Sequence, residues 1–222
     1  MNARRERPTD GLYIVGVTGG IGSGKSTLVP LLVAAMPSER VDADRLGHAV
    51  LEQPAVAHAL AAEFGADVLD GGGRVQRAVV GARAFAAPAR LAALDAITRP
   101  PLLALVEATL REHAERGFVG QVVLDAALLV EWDRGSWCDH VIAVVADPAA
   151  RARRLIARTG LDEAAAARRI AAQRPDAARA ADADDAIAND GTIEEFLERG
   201  AALAARVAGL ARAALAARGH VL

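Results

Sequence analysis

From Gly19 to Ser26 the chain reads Gly-Gly-Ile-Gly-Ser-Gly-Lys-Ser, with four glycines in the first six positions. An apolar run, Leu12 to Val17, leads into it, and a helical pattern, Leu28 to Met36, leads out. Strand, glycine loop and helix in that order fit the spacing G-x-x-x-x-G-K-[ST]. There the absence of side chains lets successive backbone N–H groups turn inward on a phosphate. The helix start adds its positive dipole end and its unpaired N–H groups. The expected phosphate-contacting set is Gly20, Ile21, Gly22, Ser23, Gly24, Lys25, Ser26 and Thr27, with Lys25 reaching the β- and γ-phosphates and the Ser26 hydroxyl offered to Mg²⁺.

Composition singles out one member of that set. The chain has 26 Lys and Arg residues, and Lys25 is its only lysine. A bias this strong toward arginine leaves a lysine where a compact, flexible ammonium does what a planar guanidinium does not. The 222 residues, 53% of them hydrophobic, suffice for one α/β domain carrying a sizeable insertion. A net charge of −2 and 3% aromatic residues give neither a basic field nor a stacking stripe, so nucleic acid is not an expected partner. The single cysteine, Cys138, rules out an internal disulfide framework and suits a reducing cytoplasm. The polar opening, 1–10, reads as a loose lead-in without the apolar core of a secretory signal. The Ala-rich C-terminus, interrupted by Arg206, Arg212 and Arg218, reads as an amphipathic helix and not a membrane span.

Taken in order, the next signal is a short strand from Arg40 to Asp44, ending in the carboxylates Asp42 and Asp44. In a parallel sheet, strand C-termini gather around the ligand, which makes Asp44 a candidate base as well as a candidate helix cap. From 53 to 117 the pattern turns wholly helical and reads as an inserted module, with Pro100 and Pro101 expected to break its last helix. Arg74, Arg77 and Arg83 of this module could meet an anion or simply face solvent. The core, expected over 11–52 and 118–222, resumes with a strand ending at Asp125, the position of a metal-orienting carboxylate. A second buried strand, His140 to Ala146, precedes Asp147 and Pro148, a cap and first-turn proline. The arginine-rich stretch 151–175, broken at Thr159 and Gly160, has the architecture of a flap, and Arg158 stands at the break. A last short strand turns at Asn189, which could serve a base edge or just the turn.

Together these pieces resemble the dephospho-coenzyme A kinase family. The similarity runs from about Tyr13 to Gly191 and rests on Thr18 to Thr27, Asp42 to Asp44, Phe64-Gly65, Gly73 to Arg77, Phe85, Leu128 to Glu131, Arg158 to Gln173 and Ala183 to Gly191. The resemblance implies a three-layer α/β phosphate-loop kinase fold of the nucleoside monophosphate kinase type, with a parallel sheet, a helical insertion and a lid. It also implies transfer of the ATP γ-phosphate to the ribose 3′-hydroxyl of dephospho-coenzyme A. Lys25, Asp44 and Arg158 would be catalytic, Ser26 and Asp125 would hold Mg²⁺, Asn189 would lie near adenine, and the insertion would hold the acceptor. The chain departs from the family in having Ala127 before Leu128-Leu129, where proline is usual, and Arg99 before Pro100, where histidine is usual. Another small-molecule kinase of the same fold, or an ATP-binding relative without turnover, stays open at this point. A GTP switch is disfavoured, because its guanine-reading motif needs a second lysine.

Overall fold

The computed structural model describes residues 11–221, so the expected lead-in over 1–10 lies outside the described residues. The chain forms β1 (Leu12–Thr18), α1 (Lys25–Ala34), β2 (Ser38–Asp42), α2 (Ala43–Leu51), α3 (Pro54–Phe64), α4 (Arg77–Ala84) and α5 (Pro88–Glu115). It continues through β3 (Gly120–Asp125), β4 (His140–Val145), α6 (Pro148–Thr159), α7 (Glu163–Ala171), α8 (Asp176–Ala181), β5 (Asp185–Ala188) and α9 (Ile193–Ala217).

The five strands make one parallel sheet in the order β2-β3-β1-β4-β5. β1 and β3 are buried along their whole length, as central strands covered on both faces should be. The order reverses at β1, whose neighbours are β3 on one side and β4 on the other. A parallel sheet opens its binding crevice at the carboxyl ends of the strands flanking such a reversal. The register sets Val17 beside Asp125, and Asp125 beside Asp42, along that edge.

By contact the chain divides into two compact units. One holds the described residues up to Asp42 together with those from Thr109 onward; the other is Ala43–Ala108. In the first unit, alternate residues of β1 (Tyr13, Val15, Val17) point into a core shared with Leu28 and Leu32 of α1. α9 supplies Phe196, Ala204, Val207, Ala211 and Leu215 to the same core, one stripe at helical spacing. By length and composition α9 could cross a membrane; its apolar stripe is instead spent on the sheet. Side chains cap the helices where the sequence placed them: Asp147 accepts from Ala149 N and Ala150 N, Asp162 from Ala165 N, and Thr192 forms a capping box with Glu195.

The second unit has its own core: Val50, Val56, Leu60, Phe64, Val68, Val80 and Ala84, covered by Leu91, Leu94, Ile97, Leu102 and Leu105 of α5. It begins at Ala43, earlier than the expected Gln53, because α2 buries Val50 in this core. It ends at Ala108, before the expected Gly117.

Two expectations are corrected here. β2 stops at Asp42, and Asp44 sits in the first turn of α2, where a carboxylate meets the positive helix end. α5 runs unbroken through Pro100 and Pro101. Two prolines remove two helical hydrogen bonds. Ile97 before the pair and Leu102 and Leu105 after it pack on the same core, and that tertiary burial carries the helix across.

Candidate active site

β1 delivers its last residue, Thr18, into the interior, where Thr18 Oγ1 donates to the carbonyl of Ala127 at 3.0 Å. A backbone carbonyl makes this contact, so it does not depend on the side chain at 127. From Gly19 the loop must turn its amides one way and its carbonyls the other, and hydrogen bonds show how it does so.

Every carbonyl from Gly19 to Gly24 has a donor. Lys25 Nζ reaches back to Gly19 O at 3.3 Å, and Ser23 N donates to Gly20 O at 3.0 Å. Arg151 Nε donates to Ile21 O at 3.0 Å, Arg154 Nη1 to Gly22 O at 3.3 Å, and Asn189 Nδ2 to Ser23 O at 2.8 Å. Thr27 N donates to Gly24 O at 2.9 Å as α1 begins. A trans peptide holds each C=O antiparallel to the N–H of the next residue. Arg151 therefore aims the Gly22 N–H away from itself, and Asn189 does the same for Gly24. The amides of Gly22, Gly24, Lys25 and Ser26 have no hydrogen-bond partner among the described residues. Four open donors at a helix N-terminus form an anion nest.

Glycine is required where these braces press close. A Cβ on Gly20 would lie 1.9 Å from Arg151 Nη2. Gly24 has φ of +111°, and a Cβ there would meet Asn189 Nδ2 at 2.2 Å.

The braces come from a buried polar chain. Arg151 is 3% exposed and donates through Nη1 to Asp176 Oδ1 at 3.0 Å and through Nη2 to Gln173 Oε1 at 2.9 Å. Gln173 Oε1 also accepts from Ile21 N at 2.7 Å. Asp176 bonds Arg179 Nη1 at 3.0 Å and Ala146 N at 3.1 Å, and Arg179 pairs with Glu131. Burial pushes the Arg151 guanidinium below its usual range; Asp176 opposes this and Arg179 adds to it. Arg154 differs in touching only carbonyls, those of Gly22 and Asn189, the latter at 2.8 Å. Its charge has no carboxylate partner among the described residues and stands directly behind the nest.

The remaining candidates fall in distinct places. Ser26 is exposed at the second position of α1, next to Lys25. Asp125 ends β3, nearly buried, with Oδ2 held by Arg40 Nη2 at 2.7 Å; the same guanidinium nitrogen reaches Asp42 Oδ2 at 2.9 Å. Asp125 Oδ1 has no partner among the described residues. A hydroxyl and a carboxylate oxygen are the hard donors that a small divalent cation takes. Asp44 lies in the second unit, exposed. Arg158 is exposed in the last turn of α6 with no ion pair among the described residues, just before Gly160 in the left-handed region.

Asn189 is buried, and its side-chain amide donates to the loop carbonyl of Ser23 at 2.8 Å, which ties the end of β5 to the glycine loop. In the helical unit Arg83 is engaged as well, by Asp67 and the Phe64 carbonyl, and Arg99 pairs with Asp95 at 2.8 Å. Arg151, Arg154, Gln173, Asp176 and Arg179 were missed as site residues. Arg151 and Arg154 carried a faint signal, since they share a helix face with the buried Leu155.

Residues 13–195 match the family model described as dephospho-CoA kinase. Among curated proteins, the dephospho-CoA kinase of Corynebacterium glutamicum is 38% identical over 195 residues, covering 87% of this chain and 96% of that protein. The dephospho-CoA kinase of Leifsonia xyli is 41% identical over 186 residues, covering 83% and 93%. Among solved structures, TT1252 from Thermus thermophilus superposes with a TM-score of 0.70 at 33% identity, covering 89% of this chain and 97% of that one. Dephospho-CoA kinase from Campylobacter jejuni shares the fold with a TM-score of 0.58 at 18% identity, covering 90% and 99%.

Proposed function

The chain belongs to the dephospho-CoA kinase family, and from that premise we propose how its residues divide the work of the reaction. The enzyme transfers the γ-phosphate of ATP to the ribose 3′-hydroxyl of dephospho-CoA, completing coenzyme A synthesis. The observation that carries this assignment is the family match over 13–195, which takes in the loop, both units and β5.

Phosphoryl transfer asks a protein mainly to position its reactants and to stabilise charge. The four open amides of Gly22, Gly24, Lys25 and Ser26 bind the polyphosphate, and the uncompensated charge of Arg154 draws it in from behind. Lys25 gives up a long contact to Gly19 O and takes the β- and γ-phosphates, where negative charge builds. Mg²⁺ would be held by the Ser26 hydroxyl and Asp125 Oδ1, and would neutralise the phosphate oxygens as charge shifts toward the leaving group. Asp44 accepts the hydrogen bond of the attacking hydroxyl and so aims its lone pair. Arg158 approaches the transferring group from the flap. The anchoring of Arg151, Arg154 and Gln173 to the loop supports a flap narrower than 151–175, running from Arg158 to the end of α7. The helical unit holds the acceptor. The cytoplasm is the site of action, in keeping with the single cysteine.

A coupled ADP-release assay with dephospho-CoA, AMP, adenosine and no acceptor tests the assignment. Release that depends on dephospho-CoA is expected. Preference for AMP would make the enzyme a nucleotide kinase, and release without acceptor would make it an ATPase.

A further inference from the structure

The peptide groups around Ile21 are gripped from both sides by one small ring of bonds. Gln173 Oε1 takes the Ile21 N–H at 2.7 Å, Arg151 Nε takes the Ile21 carbonyl at 3.0 Å, and Gln173 Oε1 binds Arg151 Nη2 at 2.9 Å, closing the ring. Gln173 is separated from Ile21 by 152 positions. It lies in the link between α7 and α8, immediately beyond the flap.

Ile21 N–H belongs to the Gly20–Ile21 peptide, and Ile21 O to the next one, whose other end is the open Gly22 amide. Fixing both peptides fixes the direction of that amide. Glycine at 20 and 22 leaves these peptides free to rotate unless something outside the loop holds them. Gln173 is the element that serves both: it bonds one peptide directly and orients the arginine that bonds the other. Its amide is neutral. A carboxylate would accept the same two bonds but would add negative charge behind a polyphosphate.

We infer that Gln173 is a positioning residue for phosphate transfer. It aims the loop amides at the nucleotide and ties the base of the α6–α7 flap to the cradle that the flap serves. The inference rests on the proposed use of the loop for ATP. It predicts that Gln173→Ala weakens ATP affinity about ten-fold, the scale of losing one or two hydrogen bonds, and leaves dephospho-CoA affinity within two-fold.

The test combines ATP and dephospho-CoA titration calorimetry with amide hydrogen exchange of the free protein, on wild type, Lys25→Ala, Gln173→Ala and Gln173→Glu. In Gln173→Ala, exchange should quicken at the bonded loop amides of Ile21 and Ser23 and stay unchanged in β1, β3 and β4. In Gln173→Glu, which keeps both acceptor bonds, loop exchange should return to the wild-type rate. Wild-type ATP affinity in Gln173→Ala, alongside weakened binding in Lys25→Ala, would overturn this inference and leave the ATP reading standing. Equal loss of both ligands with faster exchange throughout the sheet would reduce Gln173 to a structural residue and overturn it too. A wild-type protein that binds no ATP would remove the premise itself.

Discussion

Lys25 illustrates how much composition can disclose about a single residue. As the only lysine in an arginine-rich chain, it stood out in the sequence, and the structure sets it at the start of α1 with Nζ 3.3 Å from the Gly19 carbonyl. The bracing of the loop by Arg151 and Gln173 was not legible, because it consists of contacts with residues more than a hundred positions earlier. Asn189 was legible as a polar residue at the right edge of the sheet, but its hydrogen bond to Ser23 was not, because that contact joins residues far apart in sequence. Lys25→Ala should lower kcat by 10² or more, on the order of 3 kcal/mol, with an unchanged thermal midpoint in the absence of nucleotide. Steady-state kinetics and a melting curve check both halves. The role proposed for Asp44 at the acceptor hydroxyl predicts that Asp44→Asn retains ATP affinity and loses most turnover; unchanged kcat would remove Asp44 from the mechanism. Arg158→Ala should lower kcat and leave ATP affinity near wild type, and an effect confined to melting temperature would show that Arg158 only supports its helix.

At the scale of elements, local chemistry fixed the starts of helices and tertiary packing fixed where they ended. Asp147 with Pro148, Asp162 and Thr192 all announce helix starts, since a cap acts within three residues. Pro100 and Pro101 announced a break that did not occur, because burial on both sides of the pair outweighs two missing hydrogen bonds. Asp44 was assigned to a strand and lies in a helix, since nothing local distinguishes the end of a five-residue strand from the turn that follows it. α9 shows packing at its strongest. Phe196 is fully buried, and its ring edge lies 3.7 Å from the position of a Cβ at Gly24. Phe196→Ala should cost about 3 to 5 kcal/mol. Urea unfolding should show this as a lower midpoint, with ATP affinity falling as well because the ring backs the loop.

For the molecule as a whole, sequence patterning was enough for a parallel α/β sheet with a helical insertion, while the strand order was not, because order depends on which crossovers pack. The end of the sheet remote from the loop also sets a response to acid. Asp185 on β5 pairs with His140 Nε2 at 2.6 Å and Arg206 Nη2 at 2.6 Å. Burial raises its carboxyl, and the bonds and charges of Arg206 and His140 more than reverse this, holding it below the usual carboxylate range. A carboxyl with a lowered folded pKa contributes its full stability above the unfolded value of about 3.9, and that stability is lost as pH falls through the folded value. Asp185→Asn should therefore be less stable than wild type at pH 7, with the difference shrinking below about pH 4, as denaturant midpoints across pH would show.

The central claim is that an anion nest braced from behind delivers a phosphoryl group to one alcohol. Phosphorus NMR of the product formed from ATP and dephospho-CoA addresses it directly. The account predicts a single new phosphomonoester on the ribose 3′-oxygen, formed in step with ADP and abolished in Lys25→Ala. Inorganic phosphate as the only new species, or a phosphomonoester at any other position, would contradict it.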